Sequence, residues 1–260
     1  MNRRDVMLMA GAATMATGIS ASAQPKRSQK TYVLVHGAWH GGWCWRDVAN
    51  ALRAAGHIVH VPTLTGLGER AHLVSPSVNL STHVTDIEQL FAFEDLSDAV
   101  LVGHSYAGHI IPLVADRIKN KIRHLVFLDS VLPQDGKPFL APGVGEDRAK
   151  TAIDGYLLPP MDVEWFGVPK DHPKADWVRR HLTNHPLPTL METVRYKNGG
   201  PTGLPVTYIR CLQRRDADKP DAIEVQVKAN ANWEWLTINT GHDAMVTAPD
   251  ELSEMLLTLS

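Results

Sequence analysis

The segment Val102-Gly103-His104-Ser105-Tyr106-Ala107-Gly108 puts a serine where a β-branched run stops and a helical pattern begins. A serine on such a sharp strand-to-helix turn is held out of the chain, and the turn needs small residues two positions to either side. Gly103 and Ala107 occupy those positions. Alanine is the smallest replacement for glycine and Gly108 follows it, so the turn is expected to survive. The plain alternative is a serine in an ordinary strand-to-helix loop; the strand–turn–helix context weighs against it.

A hydroxyl is a weak nucleophile until a base takes its proton. The base should sit late in the chain, after the last strand. Residues 233–239 read as that strand, and Thr240-Gly241-His242-Asp243 follows, which singles out His242 among thirteen histidines. His104, beside the serine, is expected to point its side chain away. A negatively charged tetrahedral oxygen would need two backbone N–H donors. One is expected from Tyr106, the residue after the serine. The other is expected from Ala38, in the loop His36-Gly37-Ala38-Trp39. An acid must hold the histidine tautomer. Asp129, at the end of the run 123–129, lies at the sheet edge where ligands gather in open α/β folds. Asp216 and Asp218 stand in a charged loop, Arg214-Arg215-Asp216-Ala217-Asp218-Lys219-Pro220. Asp129 is the first choice, Asp216 the second and Asp218 the third.

These residues need elements to position them. Apolar β-branched runs at 31–36, 57–61, 99–103, 123–129, 205–211 and 233–239 predict strands. Helical spacing predicts helices at 43–55, from a cap at Ser81 or Thr82 to about 94, at 106–119 with Pro112 awkwardly inside, and from Pro249 to Leu259. Alternating strands and helices imply a mostly parallel sheet covered on both faces. The alternation stops between Pro133 and Leu204. A structureless loop of that length is improbable, so an inserted helical cap over about 133–204 is expected, with helical pieces near 146–157 and 174–184.

Composition narrows the class. The chain has 260 residues, 26 Lys+Arg against 28 Asp+Glu, and no long block of one charge, so nothing marks a nucleic-acid partner. The two cysteines, Cys44 and Cys211, are too few for a disulfide scaffold or a metal site, and the sequence leaves open whether they pair. The N-terminus reads Arg3-Arg4-Asp5, then a short apolar run, then Ala21-Ser22-Ala23. That pattern predicts a removable export signal over 1–23 rather than a membrane span, twin-arginine-like with an ordinary Sec signal as the alternative, and a mature domain 24–260 that is periplasmic or secreted.

With these residues in hand, the chain resembles the α/β-hydrolase fold. The likeness rests on the elbow around Ser105, on Val35-His36-Gly37-Ala38-Trp39-His40-Gly41-Gly42-Trp43, on Leu128-Asp129-Ser130-Val131-Leu132-Pro133 and on Gly241-His242-Asp243-Ala244-Met245. Within the fold it is similar to the branch of plant methyl esterases, hydroxynitrile lyases and bacterial hydrolases of pyrethroid or carbamate compounds. The resemblance implies a serine hydrolase of carboxylesterase type, without cofactor or metal. Family members often place the acid after the penultimate strand; the equivalent position here is Arg214, which cannot serve, so the acid stays open. Hydroxynitrile lyases of the branch carry a threonine at the place of Gly37 and a lysine after the catalytic histidine, where this chain has Asp243. An acid there is expected to repel cyanide, which disfavours lyase chemistry. A non-catalytic ligand-binding homologue is the other alternative; it is disfavoured because both Ser105 and His242 are present.

The expected substrate is a small hydrophobic or aromatic ester, with amide and carbamate left open. Gly37, Trp39, Trp165, Phe166 and Trp177 are the expected substrate contacts. Each of these aromatics could instead pack the insertion onto the sheet. A small molecule is the expected partner; nucleic acid and membrane are not, and the sequence leaves a homodimer open.

Overall fold

The computed structural model describes residues 29–213 and 221–259. The expected export signal, and with it Arg3 and Arg4, lies outside these residues, as do Asp216 and Asp218.

Six strands form one parallel sheet: β1 Thr31–Val35, β2 Ile58–His60, β3 Ala99–His104, β4 Ile122–Leu128, β7 Val206–Cys211 and β8 Trp233–Ile238, in the order β2-β1-β3-β4-β7-β8. Side chains alternate along each strand, and both faces are apolar. Val33, Val35, Ala99 and Leu101 enter a core with the helices α2 Leu80–Phe93 and α3 Ile111–Ile118. Tyr32, Leu34, Val100 and Val102 enter another with α1 Arg46–Ala54, α8 Ala244–Thr247 and α9 Pro249–Thr258. The sheet is therefore a layer covered on both faces along its central strands, with the edge strands β2 and β8 partly exposed, and its C-terminal strand ends present the loops that matter.

Two helix starts differ from expectation. Asn79, not Ser81 or Thr82, caps α2: its side chain accepts from Thr82 N–H at 2.9 Å, and Thr82 Oγ1 returns a bond to the Asn79 N–H. Ser81 is instead engaged from outside by Glu192, whose carboxylate takes its N–H at 2.8 Å and its hydroxyl. The helix after Ser105 begins as a tight 3-10 turn, Ser105–His109, and α3 starts only at Ile111. Pro112 thus falls in the first turn, where a missing N–H has no helical partner to lose.

Between β4 and β7 the chain builds α4 Val144–Thr151, a two-stranded antiparallel ribbon of β5 Leu157–Leu158 and β6 His185–Pro186, α5 Ala175–His181 and α6 Pro188–Met191. The region is less helical than expected. The helix predicted to reach residue 157 stops at Thr151, and Asp154 and Gly155 then turn with positive φ into β5. This region is tied to the sheet domain by polar anchors. The buried Asp116 carboxylate on α3 accepts the N–H groups of Lys197, Asn198 and Gly200 at 2.7 to 2.9 Å. The helix α7 Ala222–Lys228, capped by Asp221, completes the crossover to β8.

Candidate active site

Ser105 sits at the end of β3 with φ of +53°, a backbone region that L side chains rarely adopt. Its neighbourhood explains the small residues. A Cβ at Gly103 would lie 2.9 Å from Ile111, and one at Gly37 would lie 3.0 Å from Ser105 Cβ. A Cβ at Gly108 would lie 1.9 Å from Ser130 Oγ and 2.4 Å from the Val131 carbonyl, so Gly108 must stay a glycine, whereas Ala107 is accommodated.

Asp129 closes β4, also at positive φ, and is buried. His242, in the loop after β8, donates from Nδ1 to Asp129 Oδ2 at 2.6 Å. The other carboxylate oxygen accepts from Arg210 Nη1 at 3.0 Å and from the Cys211 N–H at 3.3 Å. Burial alone would push the Asp129 carboxyl up, but the bonds and charges of His242 and Arg210 outweigh it and hold the group below the usual carboxylate range. With Nδ1 engaged, the Nε2 of His242 is left for the cavity that Ser105 also lines. Among the described residues no hydrogen bond joins Ser105 to His242; such contacts tighten when substrate binds.

The loop after β1 approaches the serine from the other side. His36 Nε2 accepts from the Leu64 N–H at 3.1 Å, so its proton is on Nδ1, which donates to the Gly37 carbonyl at 2.8 Å. Burial, more than any neighbour, pushes His36 down to about 3, which keeps it neutral. The Gly37–Ala38 peptide is trans. Holding its carbonyl therefore also sets the direction of the Ala38 N–H. The Tyr106 N–H follows Ser105 directly. Its phenol ring points away into the core and bonds His83 Nδ1 at 3.0 Å.

A cavity of about 540 Å³ opens over these groups. Gly37, Ala38, Trp39, Ser105 and His242 form its floor; Phe139, Leu158, Met161, Trp165, Phe166 and Leu190 form its walls. A second cavity, of about 350 Å³, reaches Ser105 and His242 from the far side of Trp165 and is lined there by Asp129, Arg210 and Gln213.

Three expectations need correction. Trp177 is not on the cavity wall: its ring packs edge-on against Trp43 at 5.0 Å, with Arg46 over it. His104 does not point away from the site. It lies 4.6 Å from the His242 ring, and its Nε2 donates to the His242 carbonyl at 3.0 Å. Asp243 does not face the cavity, so it cannot repel a substrate charge there; it is fully buried and bonded to His40. The case against lyase chemistry thus rests on the absent lysine and on Gly37 standing where the lyases carry a threonine. Cys44 and Cys211 are both buried free thiols.

Arg210 and the buried histidines were not anticipated. Arg210 sits inside the apolar-looking run of β7, where only its charge stood out. Among the described residues no group of three His, Cys, Asp or Glu could hold a metal, and no helix is long and apolar enough to cross a membrane.

Residues 32–255 match the model of the "Alpha/beta hydrolase family". The chain belongs to the alpha/beta hydrolase family. It is similar to a carbendazim hydrolyzing esterase of Nocardioides sp. (strain SG-4G), 39% identical over 88% of this chain and 98% of that protein. It is also similar to methylesterase 9 of Arabidopsis thaliana, 38% identical over 49% of this chain and 53% of that protein. Among solved structures, an extracellular alpha/beta-hydrolase from a Paenibacillus species superposes with a TM-score of 0.74 at 21% identity, over 88% of this chain and 98% of that one. A pyrethroid hydrolase superposes with a TM-score of 0.69 at 23% identity, over 88% and 96%. These two likenesses establish the same fold.

Proposed function

We propose that this alpha/beta hydrolase is a serine esterase that cleaves a small hydrophobic or aromatic carboxylic ester, with carbamates as a related substrate class, through an acyl-enzyme. The observation that carries the reading is the 2.6 Å bond from His242 Nδ1 to Asp129 at the edge of an apolar cavity that also exposes Ser105. Ser105 Oγ attacks the carbonyl carbon while His242 Nε2 takes its proton. The Ala38 and Tyr106 N–H groups receive the oxyanion. Collapse expels the alcohol, protonated by His242, and leaves the acyl group on Ser105. Water, deprotonated by His242, then releases the acid. Asp129 holds the imidazole orientation and stabilises its charged form.

The apolar walls support a hydrophobic substrate, and the likeness to a carbendazim hydrolyzing esterase over most of both chains supports an ester or carbamate carbonyl. The region 133–204 supplies Phe139, Leu158, Met161, Trp165 and Phe166 and so acts as the cap over the serine. The test is hydrolysis of matched aryl acetates and aryl N-methylcarbamates. Ser105→Ala should lower kcat by about 10³-fold or more with binding kept. Full turnover in that variant would exclude Ser105 as nucleophile. His242→Ala should lower kcat by a comparable factor, and full turnover in that variant would exclude His242 as the base.

A further inference from the structure

Beside the site lies a buried ion pair that the reaction scheme does not use, with His40 at the cavity lining and Asp243 behind it. His40 Nδ1 donates to the Ala38 carbonyl at 2.7 Å and His40 Nε2 donates to Asp243 Oδ2 at 2.9 Å. Both acceptors lack a proton to give, so both ring nitrogens carry one and the ring is an imidazolium. Neither side chain meets solvent. His40 is wedged between Trp43, stacked at 5.3 Å, and Phe166, edge-on at 5.0 Å. Asp243 follows His242 directly, and its N–H is held by the Phe166 carbonyl at 2.8 Å. The pair therefore bridges two loops that no strand joins: the one carrying the Ala38 N–H and the one carrying His242.

Resting on the serine-hydrolase reading, we infer that His40 and Asp243 form a positioning pair that fixes the oxyanion loop relative to the base loop. The strained backbone of Trp39, at φ of +65°, needs such a hold. An isolated pair this buried is rarely a net source of stability, since desolvation offsets the attraction. Its use here is geometric. A misplacement of about 1 Å between reacting groups can cost about 10²-fold in rate.

The pair also sets a pH limit. A neutral imidazole has one proton for two acceptors, so loss of the His40 proton must release either Ala38 or Asp243. Burial works against the charged ring, but the charge and hydrogen bond of Asp243 prevail and raise its pKa. The other groups around the pair do not compete in this range. His36, His104 and His185 are pushed down by burial. The Cys44 and Cys211 thiols are pushed up by burial, with the Asp243 charge adding to it.

The experiment uses the whole protein with active sites titrated by a fluorophosphonate. The double variant His40→Met with Asp243→Ala removes the pair without stranding a charge. It should keep its melting temperature within a few degrees and its KM within about threefold, while kcat per titrated site falls by about 10–100-fold. Affinity for an aryl boronic acid, which engages the oxyanion donors, should fall with it. Asp243→Asn keeps the link without the charge, because a neutral His40 can still donate to Ala38 and accept from the amide. It should keep kcat within about fivefold. The alkaline limb of the wild-type profile should vanish. Full kcat in the double variant, or the same alkaline limb in Asp243→Asn, would overturn the inference alone. A wild type that neither turns over esters nor takes the label would overturn the hydrolase reading and the positioning role with it.

Discussion

Arg210 holds the same carboxylate that orients His242: its Nη1 donates to Asp129 Oδ1 at 3.0 Å while Oδ2 of that group takes the imidazole. The guanidinium also bonds Asp221, the cap of α7, through Nε and Nη2. One planar fork thus fixes two buried acids, which an ammonium cannot reproduce. Arg210→Lys should lower kcat by about tenfold and reduce the melting temperature by several degrees, with KM little changed. Steady-state kinetics beside a thermal melt checks this; an unchanged kcat would show that Asp129 needs no such support.

The acid itself is separable from its sequence rivals. Asp129→Asn should leave the fold intact yet lower kcat by about 10⁴-fold, because the amide cannot hold the required tautomer. Asp216→Asn and Asp218→Asn should each stay within about twofold of wild type. A large loss at Asp216 with little at Asp129 would reverse the assignment.

Much of this site was legible in the chain because its parts are local. The small residues around Ser105 and the strand before it share one short stretch, and His242 follows the last strand. Asp129 was readable only as one of three acids, since what selects it is the register of β4 beside β7 and the arrival of Arg210 from the neighbouring strand. Trp177 and His104 were misplaced for a related reason. Their environments are set by tertiary contacts, Trp43 in one case and the His242 loop in the other, which no spacing along the chain encodes. The short elements β5, β6 and α7 lack the length to give a periodic pattern.

The buried histidines make stability fall in acid. Burial pushes His36 down to about 3 and His83 and His109 down to about 4, with His104 and His185 also well below the ordinary value of 6.5. Between pH 6.5 and about 4 the unfolded chain therefore binds protons that the native state refuses, and stability drops as pH drops. His40 has the opposite sign: its contribution is complete below 6.5 and is lost as pH rises through its raised value. The low-pKa group is the larger, so the urea midpoint should fall markedly from pH 7 to pH 5, by more than about 3 kcal/mol of unfolding free energy. An unchanged midpoint over that interval would contradict neutral burial of these rings.

Trp165 and Trp177 should separate substrate contact from packing. Trp165 is about half exposed, at 46%, and lines both cavities that meet at Ser105 and His242. Trp177 packs against Trp43 and His181. Removing the first ring merges two chambers and strips apolar surface from the substrate; removing the second empties a packed contact. Trp165→Ala should raise KM for an aryl ester by about tenfold with a small change in melting temperature, as loss of an aromatic contact worth 1–2 kcal/mol requires. Trp177→Ala should lower the melting temperature by several degrees, the usual cost of a vacated aromatic site, and leave KM within about twofold. The two variants measured side by side against one ester decide the matter: a KM rise in Trp177→Ala that matches the one in Trp165→Ala would mean that the cap acts on substrate as a single packed body rather than through Trp165.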